Sequence, residues 1–425
     1  MYLPGSQGLS FNHARISARL PRQISTRDAG LKPVPTPVCH QDFFGPSALA
    51  DPGPIYHEML DLGPVCWLER NAIHAITHHN ALTAALRNWR VFQSGQGVSI
   101  DEEINPRLVG STLNSDPPIH DQSRAISGAP LTPKALEKVA GRIAASAGAL
   151  VDRLVKTGEF DAAAEMAPYL PLTIVRDLVG LSDEAQDRML AWAAATFELM
   201  GDAKDRRPQA LADLGEMRAY LGTHGRPEKL AKGGWAQRLF VEGERAGLSA
   251  EKCAEMMRDY INPSLDTTIA AIGYGVRLFA DHPEQWQLLR DDPALIGNAI
   301  EEIVRLNTPI RAFTRYVAED IEVAEVPLAK GSRVLMVWGA GNRDAAKFPD
   351  PDRFDIARNT RGHVGFGHGV HACMGMHLAR LEMRCLFEAL LARVERFELT
   401  GPVVPVTNAT ICAYKAVPVR VVPIG

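Results

Sequence analysis

Apolar residues recur at helical spacing over most of the chain and alternate with polar ones only in short stretches. That pattern predicts a mainly α protein with small β-sheets. Early in the chain, Val65 to Leu68 and Ala72 to Thr77 flank Glu69-Arg70-Asn71 and carry the signature of a hairpin. Residues 81 to 88 are helical in pattern, and Gln93-Ser-Gly-Gln-Gly97 then opens an irregular region that runs to Pro118. Loops of that length inside a compact domain usually carry function or lack order. Thr132-Pro133 supply an N-cap and first-turn pair for a helix to about Thr157, closed by Gly158. Further helices are expected at 171 to 179, 182 to 200 and 208 to 223. The longest periodic segment begins near Ser249 and reaches about Asp281; as one helix it would span roughly 50 Å at about 1.5 Å per residue. Another helix follows Asp292-Pro293 as far as Arg305, and alternation around Ile321 to Val326 and Val334 to Val337 predicts strands.

Composition narrows the class. Of 425 residues, 46% are hydrophobic and 23% charged, the balance of a globular enzyme with a sizeable core. No linker divides the chain after residue 40, so a single domain over 39 to 425 is expected. Residues 1 to 38 hold Arg15, Arg19, Arg22 and Arg27, no acid before Asp28, and then Pro33, Pro35 and Pro37. A disordered N-terminal extension fits that composition better than a targeting peptide. A net charge of -4 gives no reason to expect nucleic acid. With no apolar run of 18 or more residues, no membrane anchor is expected. The six cysteines lack paired spacing, which suits reduced thiols in the cytoplasm.

One of those cysteines sits in an informative context. Phe366-Gly-His-Gly-Val-His-Ala-Cys-Met-Gly375 is glycine-rich and leads into an apolar stripe of helical spacing: Met376, Leu378, Ala379, Leu381, Met383 and Leu386. Gly367, Gly369 and Gly375 let the backbone come close to a flat ligand. Cys373 would lie at a helix N-terminus, where free N–H groups and the helix dipole favour a thiolate. Such a thiolate is a strong axial ligand for haem iron.

The segment resembles the haem-binding signature of the cytochrome P450 family, matching at Phe366, Gly367, Gly369, His371, Cys373, Gly375, Leu378, Ala379 and Glu382. The resemblance extends over about residues 40 to 425 and is strongest toward the soluble bacterial members. It implies the cytochrome P450 fold, a long central helix over haem b (heme), and an iron ligated by Cys373. It implies O2 as co-substrate, with NAD(P)H electrons delivered by a ferredoxin or flavodoxin and its reductase. Phe366, His120, Arg124, Arg315 and His371 match cofactor-binding positions, the last four as partners of the haem propionates. Asp266 and Thr267 match the family's acid and alcohol pair, which relays protons during oxygen activation. Where the family commonly has a small residue and a glycine before the acid, this chain has Pro263 and Ser264. Pro263 lacks an N–H and crowds the carbonyl of Asp259, so the helix must kink or widen there. Two consequences stay open: an oxygen-binding gap built into the sequence, or leakage of reduced oxygen to peroxide. Glu302 and Arg305 stand one helical turn apart; alone they are a weak signal. By resemblance they form a structural triad with Arg353.

Position within the family marks a substrate pocket of Phe92, Gln96, Val98, Ser99, Phe197, Met200, Asn262, Ile310, Phe313 and Ile411, with Thr196 beside Phe197. The spacing around Gln96 to Ser99, Phe197 and Arg258 is similar to the subgroup that oxidises para-substituted benzoates, although Gln96 stands where that subgroup has a basic residue. Arg258 remains a carboxylate partner or a surface ion-pair former. The expected reaction is hydroxylation or oxidative O-dealkylation of a small aromatic or terpenoid molecule by a monomeric enzyme. A peroxide-driven peroxygenase is one alternative, though such relatives generally lose the acid and alcohol pair. A haem-based ligand sensor in which Pro263 has ended turnover is another. Lys134, Lys138 and Arg142 offer either a docking patch for the electron donor or a solvated face. His78, His79 and His363 have no metal-site spacing and are expected to be structural.

Overall fold

Thr132 and Pro133 start their helix where the sequence places it. The Thr132 side chain accepts from the Ala135 N–H, the helix runs Pro133–Thr157, and Gly158 ends it at φ 78°. Leu136, Ile143, Ala147, Leu150, Val151 and Leu154 form its buried stripe. That stripe packs on the helix Met376–Leu391, which follows the cysteine loop. The computed structural model describes residues 36–181, 186–261 and 263–425, all within one compact unit, Pro35–Gly425. Of the expected N-terminal extension, residues 1–35 lie outside the described residues. Residues 36–38, expected to belong to that extension, are described, and Val38–Cys39 pair as a strand with Trp67–Leu68.

The long helix expected from Ser249 to Asp281 is broken. Helices Ala250–Met256 and Arg258–Ile261 precede the break, and Asp266–Asp281 follows it. Periodicity continues across 262 to 265, but a proline in the middle cannot donate to the carbonyl four residues back, and its ring crowds that carbonyl. The second half is buried on almost every side. At Gly275 a Cβ would lie 2.9 Å from the Ile303 side chain and 3.0 Å from Phe387, so the missing side chain lets the Ile296–Asn307 and Met376–Leu391 helices close in.

Strands are few. Val65–Leu68 and Ile73–Ile76 form the expected antiparallel hairpin. They belong to a six-stranded sheet in the spatial order Val38–Cys39, Val65–Leu68, Ile73–Ile76, Arg333–Val337, Ala312–Val317, Phe92–Gln93. Ile321–Val323 and Val326–Leu328 make a separate small hairpin. The region from 93 to 118 is irregular except for a short turn of helix at Asn105–Leu108. It is ordered by side chains: Asp116 accepts from the Ser94 and Gly95 N–H groups, and Asn105 accepts from the Ser99 N–H. Among the described residues, no helix is long and apolar enough to cross a membrane.

Candidate active site

The loop from Phe366 to Gly375, the break at 263 to 267 and the helix Ile119–Gly128 converge on one cavity of about 1260 Å³, including its open mouth. Cys373 is the cysteine on its wall. Gly367 and Gly369 turn the loop at φ 69° and 72°. A Cβ on Gly369 would sit 2.3 Å from the Leu86 carbonyl oxygen, so this turn excludes every side chain. The loop is closed by Cys373 N–H donating to Phe366 O at 2.7 Å, and Arg124 Nη2 clamps it by donating to Ala372 O at 2.6 Å.

Burial raises the Cys373 thiol pKa, against the Gly375 and Met376 N–H groups and the charges of Arg124 and Arg380. The helix-end N–H groups thus favour the thiolate, as expected, while burial works against them. A metal cation bound at the sulfur reverses that balance, because a coordinating thiol is deprotonated outright.

His120, Arg124, Arg315 and His371 line the same cavity. His120 is buried, with Nδ1 2.9 Å from Asp121 and Nε2 unpartnered. Its ring meets that of His371 edge-on at 4.5 Å between centroids. His371 Nε2 is 3.9 Å from Asp116, too far for a hydrogen bond. Burial pushes the His371 pKa down to about 4 and that of Arg315 down to about 10. Arg315 Nη1 donates to the Thr314 carbonyl. The guanidiniums of Arg124 and Arg315 and the unpartnered ring nitrogens of His120 and His371, beside the carboxylates of Asp116 and Asp121, suit an anionic group in their midst. A haem placed with its iron at Cys373 and its two propionates at this cluster fits them.

Pro263, Ser264, Thr267 and Thr268 line the cavity as well. Thr267 Oγ1 donates to Pro263 O at 3.0 Å, which ties the second half of the broken helix to the break. Asp266 is adjacent but off the cavity wall, and burial pushes its pKa up to about 7.

Comparison with known proteins decides the family. The model described as Cytochrome P450 matches residues 236–408. A curated relative, cytochrome p450 CYP199A2 of Rhodopseudomonas palustris, is 32% identical over 94% of this chain and all of its own length. The chain belongs to the cytochrome P450 family. Linalool 8-monooxygenase of Pseudomonas putida is 30% identical over 79% of this chain and 87% of its own. Among solved structures, P450BioI bound to an acyl-loaded carrier protein superposes with a TM-score of 0.80 at 23% identity, covering 88% of this chain and 100% of that one. That likeness shows the fold. As a cytochrome P450, the protein is a monooxygenase whose family uses haem with a cysteine thiolate ligand, O2, and NAD(P)H electrons supplied through redox partners.

Two expectations for this P450 need correction. The buried pair is as expected: Arg305 Nε and Nη2 donate to Glu302 at 2.7 and 2.8 Å, with both side chains fully buried. Its third member is Arg358, whose Nε donates to Glu302 Oε1 at 3.0 Å. Arg353 instead points outward, 65% exposed, and pairs with Asp355. The chain turns after Phe354, so the arginine that comes back to Glu302 is the one five positions later.

The substrate residues also divide. Ile310 and Phe313 line the main cavity, while Thr196, Phe197 and Met200 line a second, smaller one beside it. Phe92, Gln96, Val98, Ser99 and Ile411 are on neither wall. Phe92 is a strand residue opposite Val317, Val98 is buried in the core, and Ser99 Oγ donates to Leu199 O. Gln96 is exposed, its carbonyl accepting from Arg333, and Ile411 pairs with Ile310 in an isolated antiparallel bridge. Asn262 lies outside the described residues. His78, His79 and His363 each hold a neighbour, respectively Leu60 O, Gly362 O and Glu301.

In the sequence Glu382 stands out only as part of the cysteine-loop signature. It is fully buried on the cavity wall, with both carboxylate oxygens unpartnered and its pKa pushed up to about 8 by burial. The signal was available, because Glu382 falls on the buried stripe that includes Leu378 and Leu386. Asp259, likewise on the wall, is held by the N–H and hydroxyl of Thr112, and burial pushes it up to about 6.

Proposed function

We propose that Cys373 is the axial ligand of the haem and that the chain hydroxylates or oxidatively O-dealkylates a small organic substrate, aromatic or terpenoid, held against Ile310 and Phe313. The observation that carries this reading is the convergence of Cys373 with His120, Arg124, Arg315 and His371 on one cavity. When bound, haem supplies the oxidising chemistry that inserts one atom of O2 into a C–H bond while the other leaves as water.

The chain's residues do the rest. Arg124 and Arg315 would hold the propionates by charge and His120 and His371 by hydrogen bonds, and the glycine turns at 367 and 369 would let the loop come close to the group. Thr267 donates its hydroxyl proton to Pro263 O, so its lone pairs are free to accept a proton-bearing group in the cavity. Asp266, with a pKa near 7, both takes and gives a proton at neutral pH, which suits it to resupply protons at Thr267. Retention of this acid and alcohol pair supports O2-dependent turnover over the peroxygenase reading.

The electron donor is a ferredoxin or flavodoxin with its reductase, and the enzyme works as a monomer. Lys134, Lys138 and Arg142 are exposed on the helix that packs against Met376–Leu391, which supports docking behind the cysteine loop. The small-terpenoid reading draws on the likeness to linalool 8-monooxygenase. Soret difference titrations of the haem-loaded protein with phenols, aromatic acids and terpenoids, followed by turnover with a ferredoxin system, test it. A shift and oxygenated product with one class support it; ligand-induced shifts without product in any donor system favour the sensor.

A further inference from the structure

Glu301 and Glu302 are neighbours on the helix Ile296–Asn307, and their carboxylates serve different parts of the fold. Glu302 holds Arg305 and Arg358. Glu301 reaches both ends of the cysteine loop instead: His363, which precedes Phe366, and Arg380, which follows Cys373 by two turns of helix. Arg380 binds it side-on, with Nε donating to Oε1 at 2.6 Å and Nη2 to Oε2 at 2.9 Å. The same Oε2 lies 2.8 Å from His363 Nε2. Because the Gly365 N–H donates to His363 Nδ1 at 3.2 Å, the ring proton is on Nε2 and points at the carboxylate. The His363, Glu301 and Arg380 side chains are 5%, 21% and 34% exposed, so water screens these charges only in part.

Both partners of Glu301 close on one ring. The Arg380 guanidinium carbon stands 4.7 Å from the centroid of Phe366, and the His363 ring meets Phe366 at 5.8 Å and 56°. Phe366 lines the haem cavity, and its carbonyl accepts from the Cys373 N–H. The Arg380 charge also reaches the sulfur, where it favours the thiolate against burial. Burial opposes the Glu301 carboxylate too, yet the bonds from His363 and Arg380 bring its pKa down to about 2, so it is ionised at neutral pH. Its negative charge is thus fixed against Arg380 and offsets the pull of that cation on the electrons of the sulfur.

We propose that Glu301 is a positioning residue for the Cys373 ligand: it ties the two ends of the loop together, holds Arg380 on Phe366, and offsets the Arg380 charge so that the sulfur keeps its electron density for the iron. The proposal rests on the haem-thiolate reading and adds a control of the reduction potential that lies outside the loop signature. A carboxylate that only held the fold together would leave the potential alone. One that offsets Arg380 disfavours reduction, because an electron added to the iron meets more negative charge. Removing the Glu301 charge therefore raises the potential, and removing Arg380 lowers it.

The test is the reduction potential of haem-loaded full-length protein without substrate, measured by spectroelectrochemical titration in wild type, Glu301→Gln, Arg380→Met, their double variant and Glu322→Gln. Glu322 is exposed on the hairpin strand Ile321–Val323 and controls for the loss of a surface charge. Glu301→Gln should shift the one-electron equilibrium toward the ferrous state by about threefold or more, about 28 mV. Arg380→Met should shift it by about as much the other way, and the double variant should lie between the two single ones. Glu322→Gln should match wild type. An unchanged potential in folded Glu301→Gln, a shift there no larger than in Glu322→Gln, or a potential in Arg380→Met that fails to fall overturns the proposal. If Glu301→Gln does not fold or take up haem, Arg380→Met decides it. A wild-type protein that takes up no haem, or whose reduced carbon monoxide complex lacks the thiolate band, defeats the underlying reading instead, and that spectrum taken first separates the two cases.

Discussion

Replacing Arg358 by Ala should destabilise the protein far more than replacing Arg353, although Arg353 is the closer of the two to Glu302 in sequence. Arg358 is 8% exposed and donates to Glu302 Oε1 at 3.0 Å. It also donates to the carbonyls of Pro349, Asp350 and Arg353, the Asp350 and Arg353 contacts measuring 2.8 and 3.0 Å. Hydrogen bonds to charged groups contribute about 1.5–3 kcal/mol each and do not add fully. About 3 kcal/mol for Arg358→Ala is the magnitude expected, since Glu302 keeps its two bonds from Arg305. Arg353 makes one exposed pair with Asp355, worth about 0.5 kcal/mol or less. Glu302→Ala should cost about 3–5 kcal/mol, because it leaves Arg305 buried and uncompensated. Urea unfolding of the haem-loaded variants, followed by far-ultraviolet circular dichroism and by haem release, measures all three. Equal midpoints for Arg353→Ala and Arg358→Ala would refute the assignment of the triad.

Other consequences concern the cavity itself. Burial raises the folded-state pKa of Glu382 to about 8, so the folded protein holds a proton that the unfolded chain releases in the ordinary carboxylate range. Stability should therefore fall as pH rises from that range through about 8, and Glu382→Gln, measured by urea unfolding of haem-free protein, should flatten the slope; an unchanged slope counts against the assignment. Arg315→Leu and His120→Leu each remove one propionate partner and should weaken haem retention by about 10- to 100-fold, read as the rate of haem transfer to an acceptor protein; no change would place the propionates elsewhere. Thr267→Ala should leave ligand-induced Soret shifts intact while lowering product formed per NAD(P)H and raising hydrogen peroxide, and fully coupled turnover in that variant would remove Thr267 from proton delivery.

Local signals were legible where one residue type decides the backbone. Thr132, Pro133 and Gly158 bounded a helix to the residue, and Glu69-Arg70-Asn71 marked a hairpin. The cysteine loop was legible because its glycines meet a steric demand, seen at Gly369 against Leu86. The helix from 249 to 281 was read as one because apolar periodicity persists through its break, while Pro263 alone carries the interruption. Tertiary pairing was less accessible. Nothing local distinguishes Arg353 from Arg358, and only the turn after Phe354 brings the second to Glu302. Val98 and Ser99 were assigned to the pocket by position in a long loop, but the loop folds inward and places them in the core. The smaller cavity joins Asn114 to Arg258 and Asp259 across more than a hundred positions of sequence, so no spacing rule could find it.

The central claim, that Cys373 holds the iron of a haem in this cavity, is tested most directly by the carbon monoxide difference spectrum of the reduced protein in wild type, Cys373→Ala and Cys412→Ala. The account predicts the red-shifted band of a thiolate-ligated haem in wild type and Cys412→Ala and its loss in Cys373→Ala. The same band in Cys373→Ala, or its absence from haem-loaded wild type, would contradict it.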